Sequence, residues 1–429
     1  MYPNLYFFIK QVFGVEPFGF TKYLNTFGIL VAIAFFVAAY VLKKEFERKE
    51  KLNLLQPVEE SIIVGKPASL IDLIINFIFG FLVGYKILGI FFHSSDGNPQ
   101  EYIFSSQGSF FGGISLAILF TSMRYFEKKK QALPKPESRK IKVWPHERVG
   151  DITVYAAIFG FIGAKIFDNL ENWDRFIADP IGNLLSPSGL TFYGGLILAS
   201  IYLLWYTRTK KINTRQFIDA VAPALMIAYA VGRMGCHFAG DGDWGIFNSA
   251  YKVNENNQIV EAGSWEFHQV LMDNQVYAQS LVGEYGDLDK VPHASFKGLS
   301  FLPNWFWAYN YPHNVNEQGI PIKGCDGQYC YQLSPPVFPT TLYEIIAGFI
   351  LFLILWGLRK KLAAPGQLFG LYLMMNGVER FFVEKIRVNS TYDIFGFHPT
   401  QAEIISTILF AIGVWVWIDA VKQHNLKTV

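Results

Sequence analysis

The stretch LNTFGILVAIAFFVAAYVL (residues 24–42) decides the class of fold, because it contains no charged side chain. A helix needs roughly 20 mostly apolar residues to cross the hydrocarbon core of a bilayer. The whole chain of 429 residues has this character, with 51% apolar, 17% aromatic and only 17% charged residues. Soluble domains carry about 25% charged residues. The composition therefore indicates a membrane protein and excludes a disordered chain, a coiled coil and a disulfide scaffold.

Apolar stretches of this kind recur along the chain. We predict an all-α polytopic membrane protein with about nine transmembrane helices. The spans are predicted near residues 24–42, 70–92, 108–126, 151–168, 190–207, 216–235, 341–358, 366–383 and 400–420. Residues 1–23 are predicted to form an arm on the membrane surface, with Leu5, Phe8, Ile9 and Val12 on one helical face. An ordinary first turn of the fold is the alternative for this arm.

Basic residues are concentrated in every second connection. Lys and Arg number six, eight, four and three in the connections 43–69, 127–150, 208–215 and 359–365. They number none and one in the connections 93–107 and 169–189. Because short cytoplasmic loops are the basic ones, we predict an outer N-terminus and an inner C-terminal tail at 421–429. The stretch 128–147, rich in Pro and Lys, is predicted to be a cytoplasmic linker.

The long segment 236–340 interrupts the series of spans. It holds 11 acidic residues and four Lys, and is rich in Asn, Gly, Pro and Trp. We predict that it forms a signature loop and an extracytoplasmic lobe between a first membrane part (24–235) and a second one (341–420). Cys325 and Cys330 in this lobe are compatible with a disulfide, two free thiols or a metal pair. The absence of other suitably spaced ligands argues against the metal.

Ionisable residues collect at the predicted outer ends of the spans, where they are expensive and therefore functional candidates. Arg380 and Glu384 share one helical face, and Arg387 lies a turn further on. The other candidates are Arg233, His237, Asp241, Asp243, Glu344, and Tyr193 with Gly194 and Gly195. Arg binds phosphate through a planar fork of donors, so this set predicts a site for an anionic headgroup. The alternative is a helix-end ion pair with an Arg that only extends to the interface.

The segment GRMGCHFAGDGDWG (residues 232–245) carries the most information about function. It has five Gly among 14 residues directly after an apolar span. Glycines allow tight turns and close backbone approaches, and such loops offer N–H groups to anions. Gly235 and Gly245 are therefore added to the predicted headgroup site.

These residues resemble the bacterial prolipoprotein diacylglyceryl transferases. The family's signature resembles GRMGCHFAGDGDWG, and its other motifs resemble FPTTLYE (338–344), NGVERFFVEKIR (376–387) and YGGL (193–196). The resemblance covers residues 1–45 and 151–420, apart from most of the lobe. Two predicted spans within 46–150 have no counterpart in the family.

The resemblance implies transfer of the diacylglyceryl group of phosphatidylglycerol to the lipobox cysteine of a prolipoprotein, releasing glycerol phosphate. It implies phosphatidylglycerol, prolipoprotein signal peptides and membrane lipid as partners, and it requires no metal or cofactor. The net charge of +2 argues against nucleic acid as a partner. The implied location is the bacterial cytoplasmic (inner) membrane, with the active site facing the periplasm. A lipid-binding homologue with altered chemistry is the alternative. A transporter would need ionisable groups near mid-membrane.

Roles follow residue by residue from the matching positions. The phosphatidylglycerol-binding candidates are Arg233, Arg380, Arg387, Glu344, Gly194, Gly195, Gly235 and Gly245. The catalytic candidates are Tyr193, Asp241, Asp243, His237 and Glu384. Tyr193 replaces the family's His, and an ordinary Tyr is a poor base at neutral pH. We therefore expect Tyr193 to position substrate and a carboxylate to take the thiol proton. The lobe is expected to guide the prolipoprotein.

Overall fold

The computed structural model describes residues 1–90, 102, 105–186, 189–263, 266–389, 392–393 and 396–428. Helices predominate, at 63% of the structure. Among the described residues, six helical segments are long and apolar enough to cross a membrane: Thr26–Lys51, Leu70–Ile90, Pro145–Glu171, Thr214–Ala239, Thr340–Leu358 and Gln401–Leu426. This confirms the predicted class, a mainly helical polytopic membrane protein.

The α-helices are numbered here in chain order. They are α1 (Leu5–Phe13), α2 (Thr26–Lys51), α3 (Leu70–Ile90), α4 (Phe110–Gln131), α5 (Val149–Glu171), α6 (Trp173–Ala178), α7 (Pro180–Leu185), α8 (Phe192–Thr209), α9 (Thr214–Ala239), α10 (Glu266–Met272), α11 (Gln275–Tyr285), α12 (Asn304–Trp307), α13 (Thr340–Leu358), α14 (Gln367–Glu384) and α15 (Gln401–Thr428). Short 3₁₀ turns cover Gly19–Tyr23, Pro145–Arg148 and Leu288–Lys290.

The strands are short and form two-stranded pairs. They are β1 (Val58–Val64), β2 (Glu137–Val143), β3 (Phe247–Asn248), β4 (Tyr251–Val253), β5 (Ile259–Glu261), β6 (His293–Ala294), β7 (Ile320–Pro321) and β8 (Tyr331–Gln332). The pairs are β1–β2, β4–β5 and β7–β8, which are antiparallel, and β3–β6, which is parallel. The prediction of an all-α chain is therefore too strict for the lobe and for two basic connections, 43–69 and 127–150.

The remaining predicted spans also coincide with helices. The stretches near 108–126, 190–207 and 366–383 form α4, α8 and α14. The count of nine spans and their orientation stay predictions. The predicted connection 93–107 lies outside the described residues, except for 102 and 105–107.

The first long helix extends beyond its predicted end. Helix α2 continues to Lys51 instead of ending near residue 42. Residues 43–51 are mostly Lys, Arg and Glu, which favour helix, and they form pairs three residues apart. Lys44 lies 3.1 Å from Glu47, and Arg48 lies 2.5 Å from Glu45. The basic residues of this connection therefore extend the helix.

The chain divides into two compact units. Unit 1 consists of Met1–Val15, Asn25–Val41 and Ile218–Val429, and unit 2 of Glu16–Leu24 and Leu42–Phe217.

Glycines bring the helices of unit 2 into close contact. A Cβ on Gly80 of α3 would lie 2.6 Å from the Leu116 carbonyl oxygen of α4. A Cβ on Gly194 of α8 would lie 2.5 Å from the Gly163 carbonyl oxygen of α5. Small residues that let backbones approach are typical of helix contacts in membranes.

The predicted linker at 128–147 is wrong, because much of it is regular structure. Helix α4 reaches Gln131, and β2 pairs with β1 from Val58↔Val143 to Val64↔Glu137. The β-branched side chains of β1 favour a strand, and opposite charges face each other at Glu59↔Lys142. The abundance of Pro and Lys concealed a strand whose partner lies more than 70 residues away.

The membrane helices of unit 1 pack around an apolar core and fix the position of α14. Met226, Leu355 and Leu368 contribute to this core from α9, α13 and α14. The Asp219 carboxylate accepts hydrogen bonds from the Gly366 N–H (2.8 Å) and the Phe369 N–H (2.9 Å). These bonds satisfy free donors at the start of α14. The helix therefore has a fixed position along its axis.

The lobe has its own core. Buried side chains from its strands, helices and turns pack together, including Phe247, Phe267, Leu271, Leu281, Val291, Tyr311, Leu333 and Val337. Cys325 and Cys330 form a disulfide, which resolves the alternatives that the sequence left open. The segment predicted at 236–340 begins four residues later, at residue 240, because α9 continues to Ala239.

Candidate functional site

Four segments of unit 1 bring the predicted outer residues together. Arg233 lies near the end of α9, Glu344 in the first turns of α13, and Arg380 and Glu384 near the end of α14. The turn 240–245 after α9, called the signature loop below, supplies two aspartates. Gly245 forms a backbone bridge to Arg387, so the signature loop runs beside the segment that follows α14.

Glycines fix the signature loop at defined points. Gly240 and Gly242 have positive φ angles of 66° and 96°, a region that side chains with a Cβ rarely adopt. Asp241 lies between them. A Cβ on Gly245 would lie 2.5 Å from the Ile386 carbonyl oxygen, so only glycine allows this approach. The hydroxyl of Thr340 donates to the Asp243 carbonyl oxygen at 2.8 Å.

Three arginines converge on one buried carboxylate. The term arginine cluster is used for Arg233, Arg380 and Arg387 with the carboxylates of Asp243, Glu344 and Glu384. The Glu344 side chain is 0% exposed. Its oxygens lie 3.1 Å from Arg233 Nε, 3.2 Å from Arg380 Nη1 and 3.6 Å from Arg387 Nη1. Glu344 is therefore a shared counterion that orients all three guanidinium groups.

Asp243 is the more accessible counterion. Its carboxylate pairs with Arg233 and lies 2.6 Å from Arg387 Nη2. Its side chain is 34% exposed. Burial alone would raise the pKa of Asp243, but the charges of Arg233 and Arg387 outweigh burial and lower this pKa to about 2. Asp243 therefore stays ionised at any physiological pH and is a weak base.

Asp241 has a different environment, although it is only two residues away. Its Oδ1 atom is buried and has no hydrogen-bond partner among the described residues. Burial, and then the charge of Asp243, raise the pKa of Asp241 above its usual range. A carboxylate with a raised pKa accepts a proton more readily. The structure thus separates two aspartates that the sequence could not rank.

Glu384 is held tightly within the arginine cluster. Its side chain is 0% exposed, and Oε2 lies 3.0 Å from Arg380 Nη2. The other oxygen, Oε1, accepts a hydrogen bond of 2.5 Å from the Asn389 amide. This carboxylate thus orients Arg380, and Asn389 is a contributor that sequence reasoning missed.

His237 faces a network of hydroxyl groups. Its Nδ1 atom lies 3.0 Å from Thr341 Oγ1 and 3.4 Å from the Tyr311 hydroxyl. The Tyr311 hydroxyl lies 3.0 Å from Thr341 Oγ1. The network connects α9, α13 and the lobe, which accounts for a partly buried imidazole at this position. A role for His237 as base stays a prediction.

The remaining predicted glycines have packing contacts. A Cβ on Gly235 would lie 3.1 Å from the ring of Phe27, which is on α2 within unit 1. Tyr193, Gly194 and Gly195 belong to unit 2, at the start of α8. The contact of Gly194 with α5 explains why a glycine is present there. The substrate roles predicted for Tyr193, Gly194 and Gly195 stay predictions.

Glu379 and Tyr229 form a further polar pair that sequence reasoning missed. The Tyr229 hydroxyl donates to Glu379 Oε1 at 3.1 Å, and the Tyr229 ring lies 5.6 Å from the Arg233 guanidinium carbon. Glu379 Oε2 is buried without a hydrogen-bond partner among the described residues. The signal was present, since Glu379 is an acid inside a predicted apolar span. It was overlooked because it does not share the helical face of Arg380, Glu384 and Arg387.

One donor set near the arginine cluster is compact enough for a metal ion. Ligand atoms of Cys236, Asp241 and Asp243 lie within 4.8 Å of one another. Arg233 pairs with Asp243, and its Nη1 lies 3.8 Å from Cys236 Sγ. A guanidinium beside the donors repels a cation, which disfavours a metal ion at this position. The absence of a cofactor stays a prediction.

Long apolar helices whose ends hold a buried cluster of guanidinium and carboxylate groups define a polytopic membrane protein. The family model for prolipoprotein diacylglyceryl transferase matches residues 132–419. The chain belongs to this family, as its motifs predict. The match leaves out the first 131 residues, so the resemblance of residues 1–45 stays a prediction.

Similar proteins are found in several bacteria. A phosphatidylglycerol–prolipoprotein diacylglyceryl transferase of Corynebacterium efficiens is 25% identical over 286 residues, covering 65% of this chain and 70% of that protein. Transferases of the same name from Staphylococcus haemolyticus and Clostridium novyi are each 26% identical. They cover 66% of this chain, and 76% and 81% of their own lengths, respectively.

Proposed function

We propose that the arginine cluster binds the phosphate of phosphatidylglycerol while Asp241 accepts the proton of the acceptor thiol. The chain is a transferase that moves the diacylglyceryl group of phosphatidylglycerol to the lipobox cysteine of prolipoproteins, the first step of lipoprotein maturation. The sulfur forms a thioether bond to the glyceryl carbon, the carbon–oxygen bond to phosphate breaks, and glycerol phosphate leaves. The thiol proton goes to the base.

The convergence of three guanidinium groups on Glu344 carries the donor side of this proposal. Negative charge develops on the departing phosphate ester, and fixed donors stabilise it most when they need no reorganisation. The buried carboxylates of Glu344 and Glu384 hold Arg233 and Arg380 in place before substrate arrives. We therefore place the phosphate against the guanidinium groups of Arg233 and Arg380, away from the ionised carboxylate of Asp243.

The unpartnered oxygen of Asp241 supports the acceptor side. A thiol must become a thiolate before it attacks, and a base with a raised pKa suits this step. Asp243 and Glu384 are less suitable, because both are occupied by arginines. Tyr193 is proposed to position substrate, as its place in the YGGL motif implies.

The same proposal includes an outward-facing site. The alternation of basic connections supports a periplasmic position for the ends of α9 and α14. The acceptor would then approach with its signal peptide in the outer leaflet of the inner membrane. This orientation can be tested by introducing single cysteines into the lobe and labelling them in intact cells.

The test of the arginine cluster uses Arg233→Ala, with Arg124→Ala as control. Arg124 lies on α4 in unit 2, pairs with Glu127 and is not one of the proposed site residues. Loss of one charge-assisted contact costs about 1.5–3 kcal/mol, so transfer should fall roughly 10- to 150-fold and phosphatidylglycerol affinity should weaken. Unchanged lipid affinity in Arg233→Ala would exclude the assignment. Lipid binding without any transfer by the wild-type chain would favour a lipid-binding homologue.

A further inference from the structure

A cavity of about 780 Å³ lies within unit 1, between the signature loop and the lobe. Asp241, Asp243 and Arg387 form part of its lining. Helix α11 supplies another part, including Ser280 and Glu284. The volume is within the usual range for ligand sites, about 300–1,000 Å³. The cavity therefore connects the proposed reaction site with the interior of the lobe.

The charge of the lining does not suit a phosphate. Its carboxylates are those of Asp241, Asp243, Glu284 and Glu317, whereas Arg387 is its one basic group among the described residues. Arg387 is already paired with Asp243 at 2.6 Å. Neither Arg233 nor Arg380 lines the cavity. An anionic headgroup would thus meet repulsion here, and a neutral or cationic ligand is favoured.

The other lining groups suit a polypeptide. The aromatic rings of Tyr277, Tyr285 and Tyr331 line the cavity together with the amides of Asn316 and Gln318. Tyrosines provide apolar contact area and a polar tip at low entropic cost, and are common where proteins bind peptides. Side-chain amides offer both donors and acceptors to a peptide backbone.

We propose that this cavity binds the polar segment that follows the reactive cysteine in the acceptor polypeptide. The inference rests on the proposed function, since it needs the acceptor thiol beside Asp241. Asp241 belongs to the cavity lining, so the residues adjoining that thiol are the part of either substrate nearest the cavity. The apolar segment before the cysteine and the acyl chains of the lipid remain in the bilayer. The lining favours acceptors with neutral or basic residues after the cysteine.

The first test fills the cavity from α11. Ser280 lines the cavity, whereas the neighbouring residue Gln279 is exposed and does not line it. Ser280→Trp should raise the KM for an acceptor peptide about tenfold and leave the KM for phosphatidylglycerol unchanged. Gln279→Trp, a matched control on the same helix, should change neither. An unchanged acceptor KM in Ser280→Trp overturns the proposal.

The second test changes the charge and does not depend on the first variant folding. The double variant Glu284→Lys, Glu317→Lys is assayed with two peptides carrying either Lys-Lys or Glu-Glu directly after the cysteine. We expect kcat/KM to fall about tenfold for the Lys-Lys peptide and to rise or stay constant for the Glu-Glu peptide. Glu255→Lys, at an exposed turn outside the cavity, is the control. Equal effects on both peptides would contradict the proposed ligand.

Two readouts separate this inference from the proposed function. Binding of a fluorescent acceptor with Ser in place of the reactive cysteine requires no chemistry, so it tests the cavity even if Asp241 is not the base. Retained lipid affinity in Arg233→Ala would refute the donor site and leave this peptide-binding result intact. If Ser280→Trp slows release of glycerol phosphate after a normal first turnover, the cavity is a product exit and the proposal is wrong.

Discussion

The two units of the molecule use charged residues in opposite ways. In unit 1, Glu344 is 0% exposed and contacts three guanidinium groups. In unit 2, Glu60 is 30% exposed and lies 2.8 Å from Arg148 and 3.0 Å from Lys210. The first carboxylate is withdrawn from water at the ends of membrane helices. The second connects strand β1 with the segments before α5 and after α8.

This difference is what we expect if the arginine cluster serves function and the contacts of Glu60 serve structure. Buried ion pairs often cost as much in desolvation as they gain in attraction, so stability alone does not explain three arginines around Glu344. Pairs at the surface contribute about 0.2–1 kcal/mol and cost little. The cost of desolvation is consistent with the anion-binding role proposed for the arginine cluster, whereas the contacts of Glu60 attach the β1–β2 pair.

Glycines show the same contrast. In the signature loop, Gly240 and Gly242 adopt positive φ angles around Asp241, so these glycines place the side chain proposed as the base. In unit 2, Gly80, Gly163 and Gly194 permit close contact between helices. Glycine content alone thus does not distinguish a site from a packing surface.

The largest effect is expected for Glu344→Gln. The substitution leaves three guanidinium groups without their shared buried charge, and breaking a buried pair typically costs about 3–5 kcal/mol. Transfer should be lost, and the midpoint of thermal unfolding in detergent should fall by several degrees. The conservative variant Glu344→Asp serves as a control and should recover part of the lost stability. If the Glu344→Gln protein is as stable and active as wild type, the buried carboxylate of Glu344 does not differ in importance from the exposed one of Glu60.

The next largest effect is expected for Asp241→Asn. If Asp241 takes the thiol proton, the single-turnover rate should fall by roughly 10²–10⁴. In the wild-type enzyme, Asp241 becomes protonated as pH falls through its raised pKa, so the rate should decrease on the acid side and this limb should vanish in the variant. Because folding raises this pKa, the ionised form is disfavoured in the folded state. Asp241→Asn should therefore not lower stability at neutral pH.

Asp243→Asn is the matched comparison for the pH profile. The pKa of Asp243 is lowered to about 2, so its ion pairs persist down to strongly acidic pH. Their stabilisation is complete above the usual aspartate value and declines only as pH falls toward 2. The acid limb of the rate should therefore remain in Asp243→Asn. If the acid limb disappears in Asp243→Asn and remains in Asp241→Asn, then Asp243 is the base and Asp241 is not.

Much of the membrane part was predictable from the sequence, because apolar runs mark the spans. The motif residues Arg233, Glu344, Arg380 and Glu384 were also predictable, since a charge near the end of an apolar span is costly unless it is used. The structure places all four in one cluster.

Other parts depend on contacts between distant segments and were not predictable. The pairing of β1 with β2 joins residues on either side of two predicted spans. The extra glycine in DGDWG left Asp241 and Asp243 equivalent in the sequence, whereas burial and the arginines distinguish them in the structure. The contact between Tyr229 and Glu379 joins two helices, so neither residue alone revealed the pair.

An intermediate effect is expected for Gly194→Ala. The new Cβ would meet Phe167 and the Gly163 carbonyl oxygen of α5, and overpacking of this kind costs about 1–3 kcal/mol. The variant should unfold at a lower temperature, while phosphatidylglycerol affinity of the folded fraction stays normal. Gly160→Ala, where a Cβ would meet no neighbouring atom within 4 Å, is the control on α5. Reduced lipid affinity without a loss of stability would instead support the predicted substrate role of Gly194.

The smallest effect is expected for Glu60→Gln, which tests the structural side of the comparison. The lysine and arginine beside Glu60 lower the pKa of this carboxyl, with the Lys210 hydrogen bond as the largest cause. Because Glu60 is partly exposed, solvent screens these pairs, and their loss should cost no more than about 1 kcal/mol. Transfer activity should remain near that of wild type, since Glu60 lies on strand β1 and not in the arginine cluster. Stability should be measured at low and high salt, because screening already weakens an exposed pair in the wild-type protein. The difference between Glu60→Gln and wild type should therefore shrink at high salt, whereas the deficit of Glu344→Gln should persist. Equal salt sensitivity of the two variants would show that the two clusters are of one kind.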